Sequence, residues 1–476
     1  MTNVKILIID DDPTGSQTVN SCPLLLSWNQ SSLRVNLRHE SPLLFVLANT
    51  RAMSANDAKV VIKDICQSLK KALRSEGIKN WLVVSRSDST LRGHFPLETD
   101  IITAELGCFE ATFLIPCFLE GNRKTIDAVH TLNGVPVHKT QFASDHYFGF
   151  STSFLPRFIS QKTNAELKES NIVQINSNFL NKAIINNKTY QILEQQIRAL
   201  SGNVFVTVDA QDSKQLKIFS KAINKVCFGK SPNQISKKFL FRSAASFITE
   251  LGDLPPQPLG SKQLPSLRRR NSLGDPLPGL VAVGSYVPLA DLQLKTLLID
   301  PLCIGIELPV TELVDVFRDS VNIQVLGQLK QELFQKLQDI ITSGKTPVLF
   351  TSRGELNFPS SEERLVFGCK IAKFMARLVA ACAPQLGYII SKGGITSQFL
   401  LIEGLNLSWV HLDGQLIPGL SLVRQLHSLW TPPAFRGLPI LTFPGNLGSS
   451  ATLKEVWDLM ENRSAVEKPL YNLVEK

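Results

Sequence analysis

No apolar stretch of this 476-residue chain reaches the roughly 18 residues that a membrane-spanning helix needs. The best candidate, Phe374 to Ile390, is interrupted by Arg377 and Pro384. A secretory leader is also missing: Val4-Lys5-Ile6-Leu7-Ile8-Ile9 runs straight into three aspartates, which reads as a first strand and predicts a cytoplasmic protein. Eight cysteines are scattered without one C-x-x-C pair, and several, such as Cys66 and Cys369, sit in apolar stretches. That pattern predicts buried reduced thiols and speaks against zinc or a disulfide framework. No internal repeat is found. Charged residues make up only 19% of the chain and hydrophobic ones 43%, the balance of a folded globular protein rather than a disordered one.

The net charge of +9 raises the question of nucleic acid, but the excess is local. Seven lysines between Lys214 and Lys238 share a stretch with Asp212 as its only acid, and Arg268-Arg269-Arg270 lies in a proline-rich segment. Basic runs without interleaved aromatics read as solvated faces, so no nucleic-acid partner is expected. A positive balance also suits an enzyme whose substrates are anions.

A chain of this length divides naturally into two domains. In the first half, apolar strands at Val4–Ile9, Leu43–Ala48, Trp81–Val84, Ala111–Ile115 and Asn203–Val208 alternate with amphipathic helices. One helix opens at Ser54-Ala55-Asn56-Asp57, a capping-box spacing, and carries Val61, Ile65, Leu69 and Leu73 as its apolar stripe. The second half repeats the alternation, with strands at Leu280–Val283, Cys303–Leu308, Val348–Phe350, Tyr388–Ile390 and Pro439–Phe443. A long helix there carries Val325, Leu329, Leu333, Leu337 and Ile341 and stops at Gly344. The expected fold is therefore α/β: two three-layer domains with mainly parallel sheets, residues 1–255 and 278–476, joined by a proline-rich linker at 256–277.

Ligands of such domains sit at the carboxyl ends of the strands. The first strand ends in Asp10-Asp11-Asp12-Pro13-Thr14-Gly15. Adjacent carboxylates repel, so cations or proton donors must compensate them. An acidic helix N-terminus is the plainer explanation, although one aspartate would suffice for it. Asn49-Thr50-Arg51 follows the second strand. Ser85-Arg86-Ser87-Asp88-Ser89-Thr90-Leu91-Arg92-Gly93-His94 follows the third. Arginine grips a carboxylate with two parallel hydrogen bonds and aspartate accepts from hydroxyls, so this edge suits a polyhydroxy carboxylate. His94 alone would be an ordinary structural histidine.

In the second half the strand ends carry glycine turns: Gly284-Ser285, Lys392-Gly393-Gly394-Ile395-Thr396-Ser397 and Pro444-Gly445-Asn446-Leu447-Gly448. Glycine lets a backbone approach phosphate, and the free N–H groups of a helix start donate to it. Tight strand–helix closure would use glycine too, but three such turns point to a nucleotide. Gly344-Lys345-Thr346 imitates the end of a P-loop, yet it ends a helix and precedes a strand, and Asp339 stands where the first glycine belongs.

Together these residues resemble the four-carbon acid sugar kinase family, the 3-oxo-tetronate and threonate kinases. The likeness runs through nearly the whole chain: Asp11-Asp12-Pro13-Thr14-Gly15, Asp88-Ser89-Thr90-Leu91-Arg92-Gly93, Asn133–Val137 and Phe142–Asp145, then Gly284-Ser285, Gly393-Gly394-Ile395-Thr396-Ser397, Pro418-Gly419 and Gly445-Asn446-Leu447-Gly448. The chain departs from the family at Pro13, at Ser85-Arg86, and at Ile395, where a glutamate is usual. The resemblance implies a cytoplasmic enzyme of carbohydrate metabolism, a transferase that phosphorylates a sugar acid with ATP, the two domains meeting across a cleft. It implies Asp12 as the catalytic carboxylate, with Asp11, Thr14, Arg51, Arg86, Asp88 and Arg92 around the acid. Ser285, Gly393, Gly394, Ile395, Thr396 and Gly445 would hold ATP, with Mg²⁺ bridging its phosphates; protein ligands to a metal and assembly as a homodimer stay open. Two rival readings use the first half alone. Asp10-x-Asp12-x-Thr14 matches the nucleophile motif of haloacid-dehalogenase-type phosphatases, and a non-catalytic sugar-acid sensor would need no second domain.

Overall fold

The computed structural model describes residues 4–13, 15, 16, 18–229, 236–285, 287–318, 323–353, 358, 360–426 and 433–463. The chain forms two compact units that divide at Pro256 and Gln257. Both are α/β.

In the first unit, strands β1 (Lys5–Asp10), β2 (Cys22–Leu25), β3 (Leu43–Leu47), β4 (Trp81–Arg86) and β5 (Ala111–Ile115) are followed by a small antiparallel sheet, β6 (Arg123–Ile126), β7 (Val129–Leu132) and β8 (Val135–Pro136). Strands β9 (Val173–Ile175), β10 (Val204–Val208) and β11 (Phe239–Ser243) complete the main sheet, in the order β2-β3-β1-β4-β11-β5-β10-β9 with all these pairs parallel. Every residue of β1 is buried, as a central parallel strand covered on both faces must be. The Ser54 hydroxyl caps helix Ala55–Ser75 by accepting from the Asp57 N–H at 3.2 Å. Its buried stripe contains Ile62, Ile65, Cys66, Leu69 and Leu73, while Val61 is only half-buried. A four-residue spacing drifts around a helix of 3.6 residues per turn, so the real stripe shifts by one residue at its start.

The second unit orders its strands β13 (Cys303–Leu308), β14 (Thr346–Thr351), β12 (Gly279–Val283), β15 (Tyr388–Lys392), β18 (Ile440–Phe443), β17 (Leu420–Arg424) and β16 (Trp409–Ile417). The first five run parallel, and β17 is antiparallel to both of its neighbours. Leu333, Leu337 and Ile341 of helix Ile323–Thr342 are buried, but Val325 is exposed. Among the described residues no helix is long and apolar enough to cross a membrane.

The segment expected as a linker is folded onto the second unit. Leu264 is fully buried in the cluster that holds Val281, Ile390, Leu441, Phe443 and Trp457. Arg268 donates to the carbonyls of Leu277 at 2.7 Å and Met460 at 3.1 Å, pairs with Glu461 at 2.8 Å and lies over the Tyr388 ring. Arg269 donates to the carbonyls of Ala383 and Ala434. Proline-rich composition carries no apolar periodicity, yet a few anchors suffice to dock it. Leu264→Ala should therefore cost about 2–5 kcal/mol as a core truncation, whereas Leu273→Ala, at 86% exposed, should leave the melting temperature unchanged. Equal melting temperatures for both variants would restore a loose linker.

Candidate functional site

In the first unit the chain leaves β1 for β3 on one side, then crosses to β4 on the other, so the carboxyl ends of β1 and β4 form a topological switch point, where α/β sheets bind ligands. Asp10 is registered against Leu47 of β3 and Arg86 of β4, and Arg242 of β11 against Ser85. Parallel pairing thus brings to one edge the acid triplet, the turn carrying Arg51, the loop from Arg86 to His94, and Arg242.

Their side chains form a continuous network. Arg51 lies 2.5 Å from Asp11, 2.8 Å from Asp12 and 3.9 Å from Asp88. Arg86, itself buried, lies 3.3 Å from Asp10 and 3.5 Å from Asp11. The Arg92 Nε is 2.8 Å from Asp88, its Nη1 3.6 Å from Asp145, and its guanidinium stacks over Phe142. Thr90 also donates to Asp88. The side chains of Asp10 and Asp11 are 1% and 2% exposed, that of Asp12 24%, so Asp12 is the accessible carboxylate of the triplet. Thr14 lies outside the described residues. His94 is structural: its Nε2 sits 3.1 Å from the carbonyls of Thr50 and Met53, beneath the Arg51 turn.

Burial raises the Asp10 carboxyl to about 7, against the pull of Arg86. It raises Asp11 as well, against Arg51 and Arg86. For Asp88 burial works in the same direction, but Arg51 and Arg92 outweigh it and hold the carboxyl well below its usual range. Two participants were not singled out by sequence patterns. Arg242 pairs with Glu98 and donates to the Ser85 hydroxyl at 2.7 Å, and Glu98 accepts from Thr50. The available signal was an arginine ending the apolar run Phe239-Leu240-Phe241.

The second unit repeats the switch point. From β12 the chain goes to β13 and β14 on one side, then to β15 on the other. Gly284-Ser285 and Gly393 end the two central strands, and the turn at Gly445 follows the adjacent β18. These turns are in near contact. A Cβ on Gly393 would fall 3.1 Å from the Thr396 hydroxyl and 3.4 Å from the Ser285 nitrogen, and one on Gly445 would fall 3.0 Å from the Ser285 hydroxyl. Gly393 also adopts φ 120°, so glycine is required there; Gly394 is already the first residue of helix Gly394–Phe399. Thr396 is buried and Ile395 is 41% exposed. Gln293 holds the Gly445–Ser449 loop through the Leu447 and Ser449 carbonyls at 2.9 and 2.6 Å. Among the described residues no cluster of three or more His, Cys, Asp or Glu is arranged to hold a metal ion.

Residues 6–251 match the model of a sugar-binding N-terminal domain, and residues 280–453 that of a nucleotide-binding C-terminal domain. This chain belongs to the four-carbon acid sugar kinase family. The same fold occurs in the crystal structure of Haemophilus influenzae protein HI1011, at 13% identity and a TM-score of 0.61, over 96% of this chain and 99% of that one. A Salmonella typhimurium protein with the provisional name tRNA synthase matches at 14% identity and a TM-score of 0.65, over 94% and 98% of the two chains. No curated protein matches.

One residue of this family member's nucleotide-binding unit departs from ordinary behaviour. Lys392, ending β15, is fully buried and lies over the Phe443 ring, with its Nζ donating to the carbonyls of Pro444 at 2.9 Å and Gly445 at 3.1 Å. It ties the Gly393 turn to the Gly445 turn. Burial pushes its pKa down from 10.5 to about 7. Below about pH 7 folded and unfolded chains both carry this proton, and the cost of the buried charge is fully present. Between about 7 and 10.5 the unfolded chain binds a proton that the folded one has shed, so this group's contribution to stability improves as pH rises. Lys392→Met should remove that slope. Denaturant titrations at pH 6.5 and 9.5 check it, and equal pH dependence in mutant and wild type would mean that Lys392 keeps its proton.

Proposed function

We propose that this protein transfers the γ-phosphoryl group of ATP to a hydroxyl of a four-carbon sugar acid such as 3-oxo-tetronate or threonate. The observation that carries the reading is the accessible carboxylate of Asp12 at the β1 switch point, set among arginines and Asp88 in the unit that matches a sugar-binding domain. Phosphoryl transfer asks for positioning and charge neutralisation more than for covalent chemistry. Asp12 orients the attacking hydroxyl and takes its proton. Asp88, held ionised by its arginines, accepts from other hydroxyls, and Arg92 grips the acid. Arg51 and Arg86, already paired with the triplet, offset its negative charge beside an anionic substrate. In the second unit Ser285, Gly393, Gly394, Ile395, Thr396 and Gly445 surround the phosphates of ATP. Mg²⁺ usually asks the protein for only one or two carboxylates and takes the rest of its shell from phosphates and water. The switch-point carboxylates Asp10, Asp11, Asp12 and Asp88 are each paired with an arginine, so no step here runs through a protein-held metal. A reaction fed by ATP fits a cytoplasmic enzyme.

The phosphatase reading requires Asp10 to attack a phosphate. Its carboxylate is buried, raised in pKa, and engaged by Arg86 and the Asp12 N–H, which argues against it as a nucleophile. A sugar-acid sensor would bind but not turn over. ADP formation across a panel of four-carbon acids separates these readings. Phosphate release without ATP would favour the phosphatase, and binding without turnover the sensor.

Asp12→Asn should keep the fold and lower turnover on the order of 100-fold, the scale of a lost general base. A folded variant with wild-type turnover would take Asp12 out of the mechanism. Gly393→Val should abolish ATP binding through strain and contact with Thr396 while calorimetry still detects sugar-acid binding. Retention of normal ATP affinity would move the nucleotide elsewhere.

A further inference from the structure

Four arginines at the first unit's switch point, Arg51, Arg86, Arg92 and Arg242, each have a carboxylate within 4.0 Å. Arg123 of β6 is different. Among the described residues it makes no ion pair, and its Nε is shut off from solvent without a hydrogen-bond partner. Yet it lies in the field of the same site: Asp88 stabilises its charge and Arg92 opposes it.

The small antiparallel sheet explains why the side chain is there. Alternate residues of a strand share a face, so Arg123 and Thr125 point the same way. Thr125 is fully buried against His130, its cross-strand partner, with 2.9 Å between hydroxyl and Nδ1. The other ring nitrogen of His130 lies 2.8 Å from the Ser89 carbonyl, in the loop that carries Asp88 and Arg92. The face bearing Arg123 is therefore docked on the sugar-acid loop. Phe118 lies under the guanidinium at 5.4 Å, and the two residues exchange backbone hydrogen bonds at 2.9 and 3.0 Å. A Cβ on Gly121 would collide with the Arg123 guanidinium, so the glycine leaves room for the side chain in this pose. A half-buried cation whose Nε is dry and that makes no ion pair among the described residues is one that can take its counter-charge from a ligand.

We propose that Arg123 is a substrate-binding residue that, with Arg92, receives the carboxylate of the sugar acid and makes the site selective for acids over neutral polyols. Arg92 already shares its charge between Asp88 and Asp145, which leaves Arg123 as the uncommitted member of the pair. The inference rests on the kinase reading above and names the group that recognises the substrate's anionic end.

The test uses the full chain, ATP, and three acceptors: threonate, erythronate and erythritol, the last lacking the carboxylate. Arg123→Gln should raise KM for the preferred acid at least tenfold and leave KM for ATP within twofold. It should also shrink the preference for acid over erythritol by a similar factor, with an unchanged melting temperature. Arg123→Lys, which keeps the charge but loses the fork, should recover part of the loss. A wild type that phosphorylates an acid, with an Arg123→Gln variant whose acid KM and acid preference are unchanged, overturns the role of Arg123 alone. A loss spread equally over both substrates and accompanied by a lower melting temperature shows a structural arginine, and also overturns it. A wild type that forms no ADP with any acid overturns the kinase reading, and this inference with it.

Discussion

Three carboxylates in a row at the buried end of a central strand cannot stay charged without cations, and the arrangement of the first unit follows from that constraint. Asp10 and Asp11 are almost wholly buried, and at such positions the cost of ionisation is several kcal/mol per ion unless it is compensated. The compensation arrives from both neighbours of β1, Arg51 after β3 and Arg86 at the end of β4. Only a strand order that places β3 and β4 on either side of β1 brings both arginines within reach. Charge balance, topology and ligand site are thus one requirement. The balance is also uneven by design of position: Asp10 sits deepest and is pushed up to about 7, whereas Asp12 opens outward.

Much of this frame can be read in the sequence because its signals are local. Short apolar runs marked the central strands of both sheets, Ser54 marked a helix start through a hydroxyl that accepts from the third residue on, and Gly344, at φ 75°, marked a helix end. What escaped depends on distant pairing. The strands β2 and β9 are short and β16 alternates in burial, so no strong run announces them, and the apolar run of β11 is only three residues before Arg242. Arg242 could not be assigned to the site until β11 was known to lie between β4 and β5. The proline-rich segment was opaque for a related reason, since Leu264 and Arg268 gain their meaning only from Trp457, Tyr388 and Glu461, more than a hundred residues away.

At the candidate site itself, residue type was legible and commitment was not. The sequence offers Arg51, Arg86 and Arg92 as equivalent grips for a sugar acid. Geometry separates them: Arg86 is buried between two aspartates, Arg51 bridges Asp11 and Asp12, and Arg92 reaches outward beside Asp145. In the nucleotide-binding unit the glycines were equally plain, but which of Gly393 and Gly394 bears the unusual backbone was decided only by where the helix begins.

The two candidate sites also differ in the cation they bury, and the difference follows from chemistry. Arginine stays protonated in almost any protein setting, so it can neutralise buried carboxylates at all working pH values, and its fork meets two of them at once. That is what the acid triplet needs, and the cations paired with it are arginines. Among the described residues Lys392 pairs with no carboxylate. Its partners are two carbonyls and a ring, which favour a cation but do not fix one, and burial brings its pKa near neutrality. A guanidinium at that position would remain charged and would need more acceptors than the Pro444–Gly445 turn offers. A lysine can join the two glycine turns as donor and still shed its charge when the cost of burial exceeds what the carbonyls return. Side-chain charge therefore shapes the first unit's site, while in the second the backbone forms the turns and the buried Lys392 ties them together.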